Sequence, residues 1–190
     1  MDVYTAIRTR RDVEAFSDEC PPRDVVARII EAATWAPNHR LTEPWRFYVV
    51  AGERRETMAD ALTSWLAAEG EPEGVQRSTR SKLMRAPLTI FVTQAGAGDD
   101  AASEERALED YAACVAAIQN LLLAAHEEGL IAHFSTGRVM EYQRTRDYLG
   151  LAAGDRVVAM VNLGYLREGS AAKEGRRNAP VVTWDWPSQS

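Results

Sequence analysis

The stretch ATWAPNHRLTEPWRFYVVAG, residues 33–52, joins two different periodicities. Upstream, Val25, Val26, Ile29, Ile30 and Ala33 recur at helical spacing, so residues 22–35 read as a helix that opens near Pro22 and is ended by Pro37. Downstream, RFYVVAG (46–52) is a short apolar run stopped by Gly52 and reads as a buried strand. Between Pro37 and Pro44 stand Asn38, His39, Arg40, Thr42 and Glu43, closed by Trp45. This is either an ordinary helix-to-strand loop with Trp45 in the core, or a set of hydrogen-bonding side chains gathered for a ligand.

Toward the N-terminus, Val3, Ala6 and Ile7 predict a short helix whose end carries Arg8, Arg10 and Arg11. A solvated helix terminus explains such a cluster as readily as an anion site does. Toward the C-terminus, residues 53–69 read as a helix with Met58, Leu62, Trp65 and Leu66 on one face. EGEPEG interrupts it, and residues 75–85 predict a further short helix before Pro87. LTIFVTQ (88–94) is a second strand, followed by the loop AGAGDDAA. The longest helix starts at the capping residue Ser103, runs to about Glu128 and stops at Gly129. Its stripe of Leu108, Tyr111, Ala112, Val115, Ile118, Leu122 and Ala125 is broadened by Ala113, Ala116 and Ala117, as suits a central helix touched on more than one side. IAHFST reads as a third strand, 138–149 as a short helix, RVVAMVNLGYL as a long fourth strand and APVVTWDW as a terminal β segment. Strands set among helices without strict βαβ alternation predict one α+β domain over residues 1–190.

Composition narrows the function classes. At 190 residues, 46% hydrophobic and 26% charged, the chain can bury a real core. No apolar run approaches bilayer-spanning length and the N-terminus lacks a signal-peptide core, so a soluble, cytoplasmic protein without membrane association is expected. Cys20 and Cys114 are too few for a disulfide scaffold and read as structural. A net charge of −6 argues against nucleic acid as a partner, so any bound anion must be held by local charge. QAGAGDD lacks the third glycine and helix of a dinucleotide fingerprint. His39, His126 and His133 have no metal-ligand spacing, and no nucleophile elbow or carboxylate pair stands out. No metal site and no catalytic side chain are expected; if the chain is an enzyme, a cofactor carries the chemistry.

IRTRRDVEAFSDECPPRDVVARIIEAATWAPNHRLTEPWRF resembles the opening of the nitroreductase family of FMN flavoproteins, in particular its small single-domain branch. Arg10, Arg11, Phe16, Ala32, Ala33, Ala36, Pro37, Pro44 and Trp45 match the family pattern in order and spacing. GLIAHFSTGRV and LGLAAGDRVVAMVNLGYLRE resemble its later strand, its flavin-facing turn and its Leu-Gly-Tyr segment, whereas residues 53–102 carry no specific likeness.

The resemblance implies a nitroreductase-like fold, a mixed or antiparallel sheet of four to five strands surrounded by helices, in an intertwined homodimer. It implies FMN bound at the subunit interface, with NADH or NADPH as co-substrate. Electrons would pass to a nitroaromatic, quinone or similar small acceptor. Carried over residue by residue, Arg10 and Arg11 bind the phosphate and ribityl chain, with Asp12 beside them; Asn38 and His39 reach the cofactor from the other chain. Ser135, Thr136 and Gly137 lie against the flavin, with a backbone N–H near N5, and Arg176 or Arg177 approaches the phosphate. Asp12, Glu14 and Glu43 depart from the pattern. Asp12 and Glu14 would weaken flavin binding unless they pair with Arg8, Arg10 or Arg11, or point away. They leave room for two alternatives, a flavin-binding protein without turnover and an oxygen-dependent enzyme of the same fold that fragments the flavin.

Overall fold

The computed structural model describes residues 1–96, 103–172, 175 and 180–183. Its centre is a four-stranded, wholly antiparallel sheet formed by β1 (Trp45–Ala51), β2 (Leu88–Gln94), β3 (Ile131–Ser135) and β4 (Arg156–Gly164), in the order β1-β2-β4-β3. Helices α1 (Val3–Thr9), α2 (Arg23–Thr34), α3 (Glu53–Ala68), α4 (Glu73–Met84), α5 (Ser103–Glu127) and α6 (Gln143–Leu149) surround it. This is the expected α+β architecture. The predicted helix over 138–149 divides into a 3-10 turn, Arg138–Met140, and α6. Residues 180–183 carry no regular structure, so the part of the expected terminal β segment that is described is not a strand. The Ser103 side chain, Arg176 and Arg177 lie outside the described residues.

The sheet is sandwiched. On one face Val26 and Ile29 of α2 and Cys114, Ala117, Ile118 and Leu121 of α5 pack on Ile90, Val92, Ala159 and Val161. On the other, Met58, Leu62 and Leu66 of α3 and Leu83 of α4 meet Phe91, Val157 and Met160. Alternation along β2 assigns its neighbours to opposite faces, as a pleated strand requires. Along β4 the alternation breaks: the register shifts between Val92 and Thr93, and Val158 and Ala159 both join the α5 face. A bulge of this kind puts two consecutive side chains on one side. The central strands are buried almost end to end, whereas β1, expected as a buried strand, is an edge strand with Arg46 and Val49 exposed.

By length and composition α5 is apolar enough to cross a bilayer, which the run-by-run sequence reading does not anticipate. Much of that character is spent in the core, where Cys114, Ala117, Leu121 and Ala125 have no exposure. Burial, reinforced by nearby Asp110, pushes the Cys114 thiol up to about 12. Gly129 ends the helix at φ 76°, in the left-handed region where glycine costs least.

The N-terminal segment is laced to the far end of the sheet. Val13 N–H donates to the Ala132 carbonyl, Ser17 N–H to Tyr165, and Arg167 N–H to Ala15. Phe16 is thereby driven into the core beside Gly164, where a Cβ would stand 2.8 Å from the ring of Pro87 and 3.3 Å from Phe16. This close approach is the physical content of the Leu-Gly-Tyr segment. Gly164→Ala should therefore destabilise the fold by about 1–3 kcal/mol through overpacking. Urea unfolding should show a lower midpoint at an unchanged slope.

Candidate functional site

Arg10 caps the C-terminus of α1, its N–H donating to the Ala6 carbonyl, and its half-buried side chain heads a groove of about 360 Å³. Val115, Ile118 and Leu122 of α5 and Phe134 of β3 give that groove an apolar floor, and Gln119 adds an amide. Arg8 points elsewhere: it is exposed, with its guanidinium 5.8 Å from the Tyr4 ring. Arg11 folds back, donating from Nη1 to the carbonyls of Arg8 at 2.6 Å and Arg10 at 3.0 Å, and it stands against Gly175. One cation is thus presented to the groove while its neighbour ties down the backbone that carries it.

Asp12 lines the same groove, but both its oxygens are engaged. Oδ1 accepts the Phe134 N–H at 3.0 Å and Oδ2 meets His133 Nδ1 at 2.8 Å. Glu14 pairs with Arg85 at 2.9 Å and lies 3.5 Å from His133 Nε2. The sequence reading leaves two ways for these acids to be tolerated, pairing with Arg8, Arg10 or Arg11 or pointing away, and neither acid pairs with those arginines. Asp12 is bridged to Ala132 along β3, and Glu14 reaches Arg85 at the α4–β2 junction.

Asn38 and His39 belong to a different place. They line a groove of about 490 Å³ with Pro37 and with Glu109, Ala112, Ala113 and Ala116 of α5. Within it Asn38 Oδ1 accepts the Glu43 N–H at 3.0 Å, and Thr42 Oγ1 donates to buried Asp110 at 2.6 Å. Arg40, Leu41 and Glu43 all have positive φ, a costly backbone for residues with side chains. The turn leaves Leu41 82% exposed and His39 open to solvent, while Trp45 does pack in the core. This groove shares no residue with the one at Arg10, and its α5 residues centre more than a turn closer to the N-terminus of that helix.

Ser135, Thr136 and Gly137 form the wall of a third cavity with His133, Lys82 and Arg85. Ser135 Oγ donates to the Met160 carbonyl at 3.3 Å, and Gly137 takes φ 153°, which residues with a Cβ rarely adopt. The cavity holds about 70 Å³, well short of the roughly 300 Å³ or more that drug-sized ligands occupy. The expected residues Arg10, Asp12, Asn38, His39 and Ser135–Gly137 therefore fall into three places, two grooves along α5 and a cavity without α5 residues on the other face of the sheet. Sequence reasoning missed Lys82, Arg85, His133 and Gln119; only the helical spacing of Gln119 from Val115 and Leu122 offered a signal.

The family model described as Nitroreductase family matches residues 7–165. The Bacillus subtilis protein named "Putative NAD(P)H nitroreductase YfhC" is 29% identical over 92% of this chain and 88% of its own. A crystal structure of a nitroreductase-like family protein from Bacillus cereus superposes with a TM-score of 0.76 at 29% identity, covering 95% of this chain and 92% of the other. A Bacteroides fragilis nitroreductase with bound FMN shares the fold at a TM-score of 0.74 and 24% identity, covering 96% and 98%. The laced N-terminus, the four-stranded sheet and the matched span agree, and this chain belongs to the nitroreductase family.

Proposed function

We propose that the protein is a cytoplasmic, homodimeric oxidoreductase that binds FMN between subunits and passes electrons from NADH or NADPH to a small acceptor such as a nitroaromatic or a quinone. The observation that carries this reading is the division of the site residues between two separate grooves on α5, one headed by Arg10 and the other bearing Asn38 and His39. No closure within one chain joins them without displacing that core helix. A second copy related by a twofold axis can set the Arg10 groove of one subunit against the His39 groove of the other. The exposed apolar side chains Val3, Tyr4, Ile7, Leu41 and Leu108 support such a contact.

The donor set fits the cofactor. A guanidinium at the head of an apolar groove suits a phosphate followed by a planar ring. The backbone at Thr136 and Gly137 offers N–H groups, and Arg85 and Lys82 offer positive charge, at a wall where a polar ring edge could rest. Bound FMN supplies two-electron chemistry, accepting a hydride from the nicotinamide and returning both electrons to the acceptor. The chain's own residues bind and orient the ring and shield it from water, so no side-chain acid or base is required of them. Arg177 remains part of the proposal as a second cation for the phosphate. Of the three acids on which the reading of a flavin binder without turnover rests, Asp12, Glu14 and Glu43, the first two have partners of their own.

Purified protein should be yellow, and its flavin absorbance should bleach under NADH or NADPH in the absence of oxygen. A colourless protein that takes up no FMN would contradict the reading. Arg10→Ala should weaken FMN binding roughly tenfold or more, as loss of a charged hydrogen bond implies. Arg8→Ala should leave it nearly unchanged; equal dissociation constants for Arg10→Ala and wild type would reject the assignment.

The shared site has its own test. If Arg10→Ala and an Asn38→Ala/His39→Ala double variant each lose FMN, refolding them together produces mixed dimers. One site then collects both defects and the other none. Flavin should return to at most one per mixed dimer, with matching reductase activity. Mixed dimers that regain none would rule out a site built from two chains.

A further inference from the structure

Arg85 stands at the C-terminus of α4, just before β2, far in sequence from every expected flavin contact. Its side chain nevertheless reaches the cavity whose wall is Ser135, Thr136 and Gly137. It is only 24% exposed, and its Nη1 lies 2.9 Å from Glu14 Oε2. Behind Glu14 comes His133, and behind His133 comes Asp12, whose other oxygen takes the Phe134 N–H. Four charged or titratable side chains are thus linked pairwise, and two of them, His133 and Arg85, line the cavity. Arg85 is the member of that set that carries permanent positive charge.

We infer that Arg85, which shares the cavity with Lys82, raises the reduction potential of the bound flavin, and that Glu14 is a positioning residue which holds Arg85 at the cavity and offsets part of its charge. The inference rests on the FMN reading above and deepens it. Hydride transfer from NADH or NADPH delivers two electrons and one proton to a neutral ring, so oxidised nicotinamide leaves and the ring gains a negative charge. In the FMN reading the ring rests against the wall formed by Ser135, Thr136 and Gly137, so this charge develops at the cavity that Arg85 lines. A fixed cation there favours the reduced ring over the oxidised one, because the field is preorganised and partly screened from water. Reoxidation passes the two electrons and the proton that came with them to the acceptor, which takes any further proton from solvent, and the ring is neutral again.

A guanidinium has five N–H donors, more than one carboxylate can occupy, so pairing with Glu14 leaves Arg85 able to meet a ring carbonyl. The pairing also explains an acid at position 14. Glu14 is not part of the cavity lining; it pairs with a cation that is. Removing either member of the pair must therefore change the potential in opposite directions. A pair with a purely structural role would instead lower stability from both sides and leave the potential alone.

The test is equilibration of the FMN-loaded protein with reference dyes during anaerobic reduction. Arg85→Met should lower the preference for reduced over oxidised FMN about tenfold, equivalent to roughly 30 mV for a two-electron couple. Glu14→Gln should raise that preference, and Arg85→Lys should stay near wild type. If Arg85→Met does not fold, the upward shift in Glu14→Gln still decides the matter. A change of less than twofold in both Arg85→Met and Glu14→Gln, or shifts of the same sign, would overturn the inference while leaving FMN binding intact. Failure of the wild-type protein to bind FMN would instead overturn the cofactor reading and this inference with it.

Discussion

The structure depends on one helix having to serve two purposes. α5 fills the space against the central strands with Cys114, Ala117, Ile118 and Leu121, so it cannot move without opening the core. Its flanks are lined by two grooves that this same rigidity keeps apart. Small side chains at Ala112, Ala113 and Ala116 shape one groove, and Val115, Ile118 and Leu122 shape the other. A helix packed this way provides a stiff partition, and a site that needs residues from both sides of it needs a second chain.

The second constraint is the placement of Arg10. A guanidinium at the end of a seven-residue helix would ordinarily wander. Here the following residues are bonded in register along β3 and β4, Asp12 clamps the Phe134 N–H and the His133 ring, and Arg11 ties the last carbonyls of α1. The acids that look hostile to an anion site are part of what holds the cation in place. Each has a partner of its own, His133 for Asp12 and Arg85 for Glu14.

Much of this was legible in the sequence where the signal is periodic or local. The apolar run of β2, the helical spacing on α5 and the turn residues at Gly52 and Gly129 each act over a few residues, and the elements they imply are present, although Leu108, Ala112 and Val115 of the expected α5 stripe are exposed and Cys114, Ala117 and Leu121 fill the core in their place. The edge position of β1 was not legible, since RFYVVA looks the same whether one or two neighbours pair with it. The double occupancy of one face by Val158 and Ala159 was hidden for a related reason: a bulge depends on the partner strand. The partners of Asp12 and Glu14 were missed because those contacts bridge remote positions, 121 residues apart for Asp12 and His133. Arg10, Asn38, His39 and the 135–137 turn were singled out as candidates through family resemblance, and their division among separate cavities emerged only from the fold.

The central claim is that the flavin site exists only when two chains meet. Native mass spectrometry of the FMN-loaded protein over a dilution series tests it most directly. The account predicts a dimer carrying two FMN molecules, with monomers that appear on dilution carrying none. Monomers that retain one FMN each at the lowest concentrations would contradict it.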